Sequence, residues 1–266
     1  MPHTPGSFGF KLSGFSFTLL AMSTQHQISH VRNVLIRLEE TIIFALIERT
    51  QFLRNPAIYK PGRFGNVLEG ESLVGFMLLE CERSHAKVRR YASPDEHPFF
   101  NSLPEPILPP LHLTDSPLQA CPINMNTRVR EVYEQQIVPH ICREGDDDQY
   151  GSAAVCDVAC LQALSKRIHY GKFVAESKVR DSPQTLRPPM EAKDADAIMA
   201  AITNDVEEQV LERVGTKARL YTQELANAST SPTVSPKKIV DIYRSWIIPL
   251  NKQVQVEYLL QRKIPQ

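Results

Sequence analysis

Apolar residues recur at three- and four-residue steps along most of this chain, the spacing that places them on one face of an α-helix. The first run spans residues 28–52. Its apolar positions are Ile28, Val31, Leu35, Leu38, Ile42 and Leu46. Further helical runs are predicted over residues 68–91, 127–143, 152–180 and 194–225, the last as one helix or a pair. A final helix begins at the N-cap pair Ser235-Pro236 and reaches residue 261, with a kink expected at Pro249.

Segments rich in proline and glycine separate these runs. A loop is expected over residues 55–66, and the stretch 92–122, which holds eight of the twenty prolines, is expected to be an extended surface connection. No segment combines alternating apolar and polar residues with hairpin turn pairs, and no internal repeat is visible. The sequence therefore predicts an all-α fold, with one helical domain over residues 25–266. Residues 1–24 are expected to be an N-terminal extension, either disordered or a weak targeting segment.

Composition argues against two classes of protein. Thirty basic and thirty acidic residues give zero net charge, without the basic surplus expected of a nucleic-acid-binding protein. No apolar run approaches the roughly 18 residues that a membrane span needs. The five cysteines show no CxxC spacing or paired histidine, so free thiols in the cytosol are expected, with no metal site. A short apolar patch over residues 15–21 leaves export as the alternative.

The segment SKRIHYGKFVAESK, residues 165–178, carries the candidate chemistry. Arg167 and Lys178 lie eleven residues apart. At about 100° per residue, eleven steps of one helix return to within about 20° of the starting direction. Both cations are thus predicted on one face, about three turns apart. Such a pair suits a small dianion; the alternative is a solvated or salt-bridged face.

Five segments, taken in order, resemble the all-helical eukaryotic chorismate mutases. They are VRNVLIRLEETIIFALIER, KVRRYASPDEHPFF, GSAAVCDVACLQALSKRIHYGKFVAESK, ITNDVEEQVLERV and IIPLNKQVQVEYLL. The resemblance covers nearly everything from Ile28 to Leu260. It implies a [3,3] rearrangement of chorismate to prephenate in phenylalanine and tyrosine biosynthesis, with no cofactor and no covalent intermediate.

The resemblance also implies roles for individual residues. Arg32 and Arg167 would clamp the two carboxylates of the substrate, since the planar guanidinium pairs with a carboxylate through two hydrogen bonds. Lys178 would donate to the ether oxygen, where negative charge develops. Glu207 would accept a hydrogen bond from the substrate hydroxyl. His169, beside Arg167, is expected to be structural, because the reaction transfers no proton.

Three positions depart from the family pattern. Asn204, a candidate substrate ligand, stands three residues before Glu207, one fewer than is common in the family. Asn251, also a candidate ligand, replaces a threonine, and Gln255 replaces the usual glutamate as a catalytic donor to the ether oxygen. Asn251 and Gln255 lie four apart and therefore share a helix face.

Family members form effector sites for aromatic amino acids between two subunits. The matching positions here are Arg89, Arg90, Gly151 and Ser152, which predicts a homodimer with tryptophan and tyrosine as effectors. Asp148 and Gln149 stand where asparagines are usual, and Val155 replaces a threonine. The main hypothesis is an active cytosolic chorismate mutase. The alternatives are the same enzyme exported to act on a host's chorismate, and a catalytically silent helical scaffold.

Overall fold

The computed structural model describes residues 24–65, 68, 70–110, 116, 118–203, 206–227 and 234–264. Within these ranges the chain forms eleven α-helices and no β-strand, so the all-α prediction is confirmed. The helices of the first half are α1 Thr24–Arg49, α2 Leu73–Lys87, α3 Asn126–Val132, α4 Val138–Ile141 and α5 Tyr150–His169. Those of the second half are α6 Gly171–Asp181, α7 Pro183–Glu191, α8 Ala195–Ile202, α9 Val206–Asn227, α10 Pro236–Ile242 and α11 Ile248–Gln261.

The predicted first helix is present as α1, and the run over 68–91 forms the shorter α2. This helix begins where the Ser72 hydroxyl caps the Gly75 N–H at 3.0 Å, and it ends just before Arg89, whose φ of 67° is left-handed. The run over 194–225 is a pair, α8 and α9, as one of the two predicted alternatives. Helix α7 was not predicted, because its three prolines resemble loop sequence, although Pro183 occupies a first-turn position that tolerates proline.

Two π-helical turns stand where the sequence suggested plain helix. One spans Tyr133–Ile137 and joins α3 to α4; the other spans Tyr243–Ile247 and joins α10 to α11. Each precedes an internal proline, Pro139 or Pro249, whose ring would clash with the carbonyl four residues earlier in a regular helix. The wider turn, closed by an N–H bonding five residues back, relieves that clash. The distortion predicted at Pro249 is therefore real but lies in the preceding turn.

The prediction of one continuous helix over residues 152–180 is wrong. The helix breaks at Tyr170, and Gly171 starts α6. A Cβ atom at Gly171 would lie 2.7 Å from the Asn251 carbonyl oxygen, so only glycine lets α11 approach this closely. The Asn251 side chain donates to the carbonyl oxygens of Arg167 at 3.2 Å and Ile168 at 3.0 Å, taking the place of helical N–H partners. The single-helix argument for a shared face therefore fails.

The proline-rich connection has no α-helix in its described residues, but its ends are not simply surface loops. The buried carboxylate of Glu82 accepts hydrogen bonds from the backbone N–H groups of Phe99 and Phe100 at 2.8–3.1 Å. At the other end Ile123 is buried, with 6% exposure. The connection is thus fixed to the helical body at both ends, because backbone groups that leave water need partners inside the protein.

Two hydrophobic clusters form the interior. In the larger one α1 lies along α5, α6 and α9, and α2 packs on α5. In the smaller one α6, α7, α8 and α11 meet around residues that include Ala175, Met190 and Tyr258. Helix α6 contributes Ala175 to the smaller cluster and lies against α1, which belongs to the larger one. This position matters because α6 carries Lys178.

The state of the cysteines can be checked directly. All five cysteines are free thiols, as predicted. None of the helices in the described ranges combines the length and apolar character that a membrane span needs. The same ranges hold no group of three or more histidine, cysteine or acidic side chains placed to bind a metal ion.

A pair of stacked histidines attaches the connection to the α5–α6 junction. The rings of His97 and His169 are 4.1 Å apart and nearly parallel. His169 donates from Nδ1 to the Ser165 carbonyl at 2.8 Å and accepts the Met125 N–H at Nε2 at 2.8 Å, so its geometry fits the neutral ring. Lys172 Nζ lies 2.6 Å from His97 Nε2. His169 is structural, as the sequence suggested.

This cluster predicts a loss of stability in acid. Burial lowers the pKa of His169 to about 4, and burial with the charges of His169 and Lys172 lowers the pKa of His97 to about 3. Unfolded histidine titrates near 6.5. Between pH 6.5 and 4 the unfolded chain therefore binds more protons than the folded protein, and the free energy of unfolding decreases as the pH is lowered. For His169 the loss approaches about 3 kcal/mol at pH 4. Urea unfolding at several pH values should show a shallower fall in His169→Gln; an unchanged slope would contradict the assignment.

Candidate active site

Four helices bring most of the predicted catalytic side chains to one region. Arg167 ends α5, Lys178 lies on α6, Glu207 is in the first turn of α9, and Gln255 is on α11. The contacts of α11 join them, because Asn251 bonds the end of α5 while its neighbour Lys252 pairs with Glu207. Tertiary contacts therefore bring these residues together, although the predicted single helix does not exist.

Arg167 is the most unusual group of the site. Its side chain is buried, with 5% exposure of the residue, yet its Nε and Nη1 atoms have no hydrogen-bond acceptor among the described residues. Burial lowers the pKa of this guanidinium, against the raising influence of Tyr243 and Glu39. A buried cation without partners is costly to the folded state. Its N–H groups are therefore available to an anionic ligand.

The acidic neighbour of Arg167, Glu39, is hydrogen-bonded to a different arginine, Arg213. Glu39 on α1 is fully buried and is held by Arg213 through two hydrogen bonds of 2.8 and 2.7 Å. Lys217 lies 3.7 Å from the same carboxylate. Neither Glu39 nor Arg213 was singled out from the sequence. A buried glutamate in an apolar run and a basic residue on a distant helix give no sign in sequence that they pair.

Lys178 is partly buried and donates to the backbone carbonyl of Ile202 at the end of α8. Burial lowers its pKa to about 8; Glu207 opposes this shift and Lys252 adds to it. Glu207 pairs with Lys252 at 2.9 Å, a partner on another helix rather than on its own. Lys252 is thus a further cation at the site that sequence reasoning did not identify.

Asn251 and Gln255 form a fixed pair on α11. The amide nitrogen of Asn251 donates to two carbonyl oxygens of α5, and its Oδ1 accepts a hydrogen bond from Gln255 Nε2 at 2.9 Å. Both polar atoms of Asn251 are therefore engaged in the protein, which does not favour the predicted role as a direct substrate ligand. Gln255 is buried; its Oε1 has no partner among the described residues, and one of its two amide hydrogens remains available.

Two other predicted site residues are not brought into this network. Arg32 lies on α1 with an exposed side chain that makes no hydrogen bond or ion pair to the described residues. Asn204 lies outside the described residues. Their predicted roles remain predictions.

The predicted effector residues occupy two separate places in the single chain. Arg90 binds Glu96 and Gln162, each at 3.0 Å, and Arg89 donates to the Pro109 carbonyl. Gly151 and Ser152 are exposed in the first turn of α5. Since Gln162 is eleven residues further along this helix, the two groups are separated by about 16 Å at 1.5 Å per residue. One chain alone does not bring them together.

Comparison with known proteins gives a consistent result. Residues 149–256 match the family model described as chorismate mutase type II. The chain is 45% identical to chorismate mutase 1, chloroplastic, of Arabidopsis thaliana over 248 residues, covering 87% of this chain and 73% of that protein. It is 43% identical to the chorismate mutase of Schizosaccharomyces pombe over 242 residues, covering 89% and 96% of the two chains.

Solved structures agree in fold as well as in sequence. A crystal structure of AtCM1 with tyrosine bound in its allosteric site has a TM-score of 0.82 and 46% identity, covering 88% of this chain and 96% of that one. Aro7p chorismate mutase from Candida albicans, in complex with L-Trp, has a TM-score of 0.83 and 38% identity, with coverage of 91% and 94%. On this similarity over nearly the whole helical body, the chain belongs to the chorismate mutase family.

Proposed function

We propose that this protein catalyses the rearrangement of chorismate to prephenate, as an isomerase of aromatic amino acid biosynthesis. The observation that carries the proposal is Arg167, a buried cation whose N–H groups lack acceptors within the described part of the chain. Chorismate is a dianion and supplies the carboxylates that such a group needs. A helical scaffold without activity would gain nothing from an uncompensated buried charge.

The proposed mechanism depends on positioning and on electrostatic stabilisation. Arg167 binds one carboxylate through two hydrogen bonds and, with Arg32 on the other, holds the diaxial conformer in which the new C–C bond can form. Lys178 donates to the ether oxygen as the C–O bond breaks and negative charge develops there. Glu207, oriented by Lys252, accepts a hydrogen bond from the substrate hydroxyl.

Gln255 assists at the ether oxygen with its remaining amide hydrogen. Asn251 acts through its neighbours: it fixes the amide of Gln255 and the end of α5 that carries Arg167. Asn204 remains a candidate ligand on the sequence pattern alone. These roles together require no group that changes its protonation state during the reaction.

We further propose a cytosolic homodimer whose effector sites combine Arg89 and Arg90 of one subunit with Gly151 and Ser152 of the other. The separation of these pairs within one chain supports a site shared between subunits. The bound tyrosine of AtCM1 and the bound L-Trp of Aro7p support aromatic amino acids as the effector class. An assay of chorismate consumption, with and without tryptophan and tyrosine, tests activity and regulation together.

Removing Arg167 should separate activity from stability. We expect Arg167→Met to lower kcat by about 10²–10³, the usual cost of losing a preorganised charge-stabilising donor. Because the variant also removes an unpaired buried charge, its melting temperature should stay the same or rise. Lys178→Ala should lower kcat to a similar extent. Arg244→Met, at an exposed arginine of the π-helical turn Tyr243–Ile247, is the control and should leave both quantities unchanged.

Two outcomes would contradict this assignment. Full activity in a folded Arg167→Met or Lys178→Ala variant would place the site elsewhere. A loss of stability in Arg167→Met without a loss of kcat would make Arg167 a structural residue.

The rate should depend on pH through Lys178. With its pKa lowered to about 8 by burial, the free enzyme loses this donor above that pH, so kcat/KM should be level from pH 6 to about 7.5 and fall beyond pH 8. Gln255 donates at every pH, whereas Gln255→Glu donates only while protonated and should lose activity as pH rises through neutrality. The exposed Gln253→Glu on the same helix serves as control. A steep wild-type decline between pH 6 and 7.5 would refute this assignment.

Effector discrimination should depend on position 155. Valine lacks the hydroxyl that the family's threonine offers to a tyrosine phenol, so tyrosine should inhibit weakly while a response to tryptophan persists. Restoring one hydrogen bond with Val155→Thr should strengthen tyrosine inhibition about fivefold to tenfold, and Val155→Ala, which adds no hydroxyl, should not. Strong inhibition of the unmodified enzyme by micromolar tyrosine would defeat the prediction.

A further inference from the structure

A buried carboxylate on α6 joins this helix to the end of α11. Glu176 is 5% exposed, and its Oε2 accepts hydrogen bonds from the Tyr258 hydroxyl at 2.9 Å and from Arg262 Nε at 2.7 Å. A second nitrogen of Arg262, Nη2, donates to Oε1 at 2.9 Å. Both carboxylate oxygens are therefore held, and the pairing with two arginine nitrogens fixes the orientation of the carboxylate as well as its position.

The proline-rich connection supports this contact from outside. The backbone N–H of Gln119 donates to the Tyr258 hydroxyl at 3.1 Å. The Gln119 side chain pairs with the backbone of Lys263, donating to its carbonyl at 3.0 Å and accepting its N–H at 2.7 Å. We call Gln119, Glu176, Tyr258 and Arg262 the α6–α11 clasp. Helix α6 cannot turn about its axis without breaking these hydrogen bonds, and a buried group left without its partner is costly.

The clasp and the candidate catalytic lysine lie on nearly opposite sides of α6. Glu176 and Lys178 are two residues apart, so at about 100° per residue their side chains leave the helix about 200° apart. Glu176 is held at α11, while Lys178 donates to the Ile202 carbonyl at the end of α8. The clasp therefore sets the rotation of α6, and this rotation decides where the Lys178 ammonium group lies.

We propose that Glu176 is a positioning residue for Lys178. By locking α6 on α11 it keeps the Lys178 ammonium group partly buried at the end of α8 and aimed at the charge that develops on the substrate. The catalytic consequence rests on the proposed chorismate mutase activity, whereas the hold on Lys178 does not. A donor that is fixed before the substrate arrives needs no reorganisation as the C–O bond breaks. If Glu176 served stability alone, its removal would leave this donor unchanged.

The titration of Lys178 reports on its placement. Burial lowers its pKa to about 8, opposed by Glu207 on α9 and assisted by Lys252 on α11. The neighbouring helices α1, α5 and α7 add no charged group that shifts this pKa within the described part of the chain. A helix α6 that is free to turn would expose the ammonium group to water, which removes the main cause of the shift and raises the pKa.

The clasp itself does not titrate in the same range. Burial would raise the pKa of Glu176, but the hydrogen bonds from Arg262 and Tyr258 lower it overall. The hydrogen bond to Glu176 raises the pKa of Arg262, and burial raises the pKa of Tyr258 to about 12. A change in titration near pH 8 therefore belongs to Lys178 and not to the groups that hold α6.

Replacing the carboxylate tests the proposal through two independent measurements. In Glu176→Gln we expect kcat at neutral pH to fall about tenfold to a hundredfold with little change in KM, because a small displacement of a donor is costly while the carboxylate-binding arginines are untouched. The alkaline fall of kcat/KM should move to higher pH. Trace acetylation of Lys178 with acetic anhydride, read by mass spectrometry as a function of pH, gives its pKa without any substrate. This labelling midpoint should rise from about 8 by about one pH unit or more, toward the ordinary lysine value of 10.5.

A double variant separates positioning from stability. Glu176→Gln leaves the Arg262 guanidinium, 10% exposed, without its counter-charge, which destabilises the fold. Glu176→Gln/Arg262→Met removes both charges, and much of the lost stability should return, since apolar residues often replace a buried ion pair without cost. The clasp is still absent, so kcat should stay low and the labelling midpoint of Lys178 should stay high.

Glu134→Gln is the matched control. Glu134 is also a partly buried carboxylate, 18% exposed, that pairs with an arginine at 2.8 Å, but it lies on the π-helical turn between α3 and α4. Its replacement removes a comparable ion pair away from α6. The kcat and the labelling midpoint of Lys178 should therefore match the wild type, even where the melting temperature falls.

Two results would overturn the proposal. One is a wild-type labelling midpoint for Lys178 in folded Glu176→Gln and in the double variant. The other is recovery of kcat together with stability in the double variant, which would make Glu176 a purely structural residue. A chain that does not convert chorismate would refute the proposed function, while the labelling midpoint would still decide whether Glu176 holds Lys178 in place.

Discussion

The fold depends on one buried ion pair that joins α1 to α5 and whose hydrogen-bonding groups are all paired. Arg49 at the end of α1 donates from Nε to Asp157 on α5 at 2.7 Å, and both side chains are completely buried. Two tyrosine hydroxyls, of Tyr59 and Tyr133, complete the carboxylate at 2.8 and 2.7 Å. The other guanidinium nitrogens of Arg49 bond carbonyls of the loop that follows α1, including Leu53 and Arg54 at 3.0 Å. Such a pair is tolerated in the interior because every charge and donor is matched.

Ten residues further along α5 the same physics is used in the opposite way. Arg167 is buried like Arg49, with 5% exposure, but the carboxylate of Glu39 is held by Arg213. Arg167 therefore has no hydrogen-bond acceptor among the described residues at the end of α5. Arg167 lacks the matching carboxylate that Arg49 has, and in the proposed function the substrate dianion would supply it.

Helix α6 divides its residues between two environments. Lys178 points to the end of α8 and to the charged pair of Glu207 and Lys252, while Val179 and Arg180 line a cavity between α6, α7 and the segment after α11. Gly171, at its start, lets α11 approach closely enough for Asn251 to cap α5. Because the helix breaks at Tyr170, the contiguous segment 165–178 places Arg167 at the end of α5 and Lys178 on α6.

Much of the fold followed from the sequence, because helical periodicity, the N-cap pair Ser235-Pro236 and the proline segments are local signals. The resemblance also identified Arg167, Lys178, Glu207 and Gln255, which tertiary contacts gather at one region. The pairings around the site were not predictable from the sequence. Glu39 pairs with Arg213, Glu207 with Lys252, and Asn251 with the α5 carbonyls only because folding brings distant parts of the chain together. Local chemistry fixes where helices begin and which faces are apolar. Only tertiary packing decides which buried charge is neutralised and which is left for a ligand, because burial and pairing depend on residues far apart in the chain.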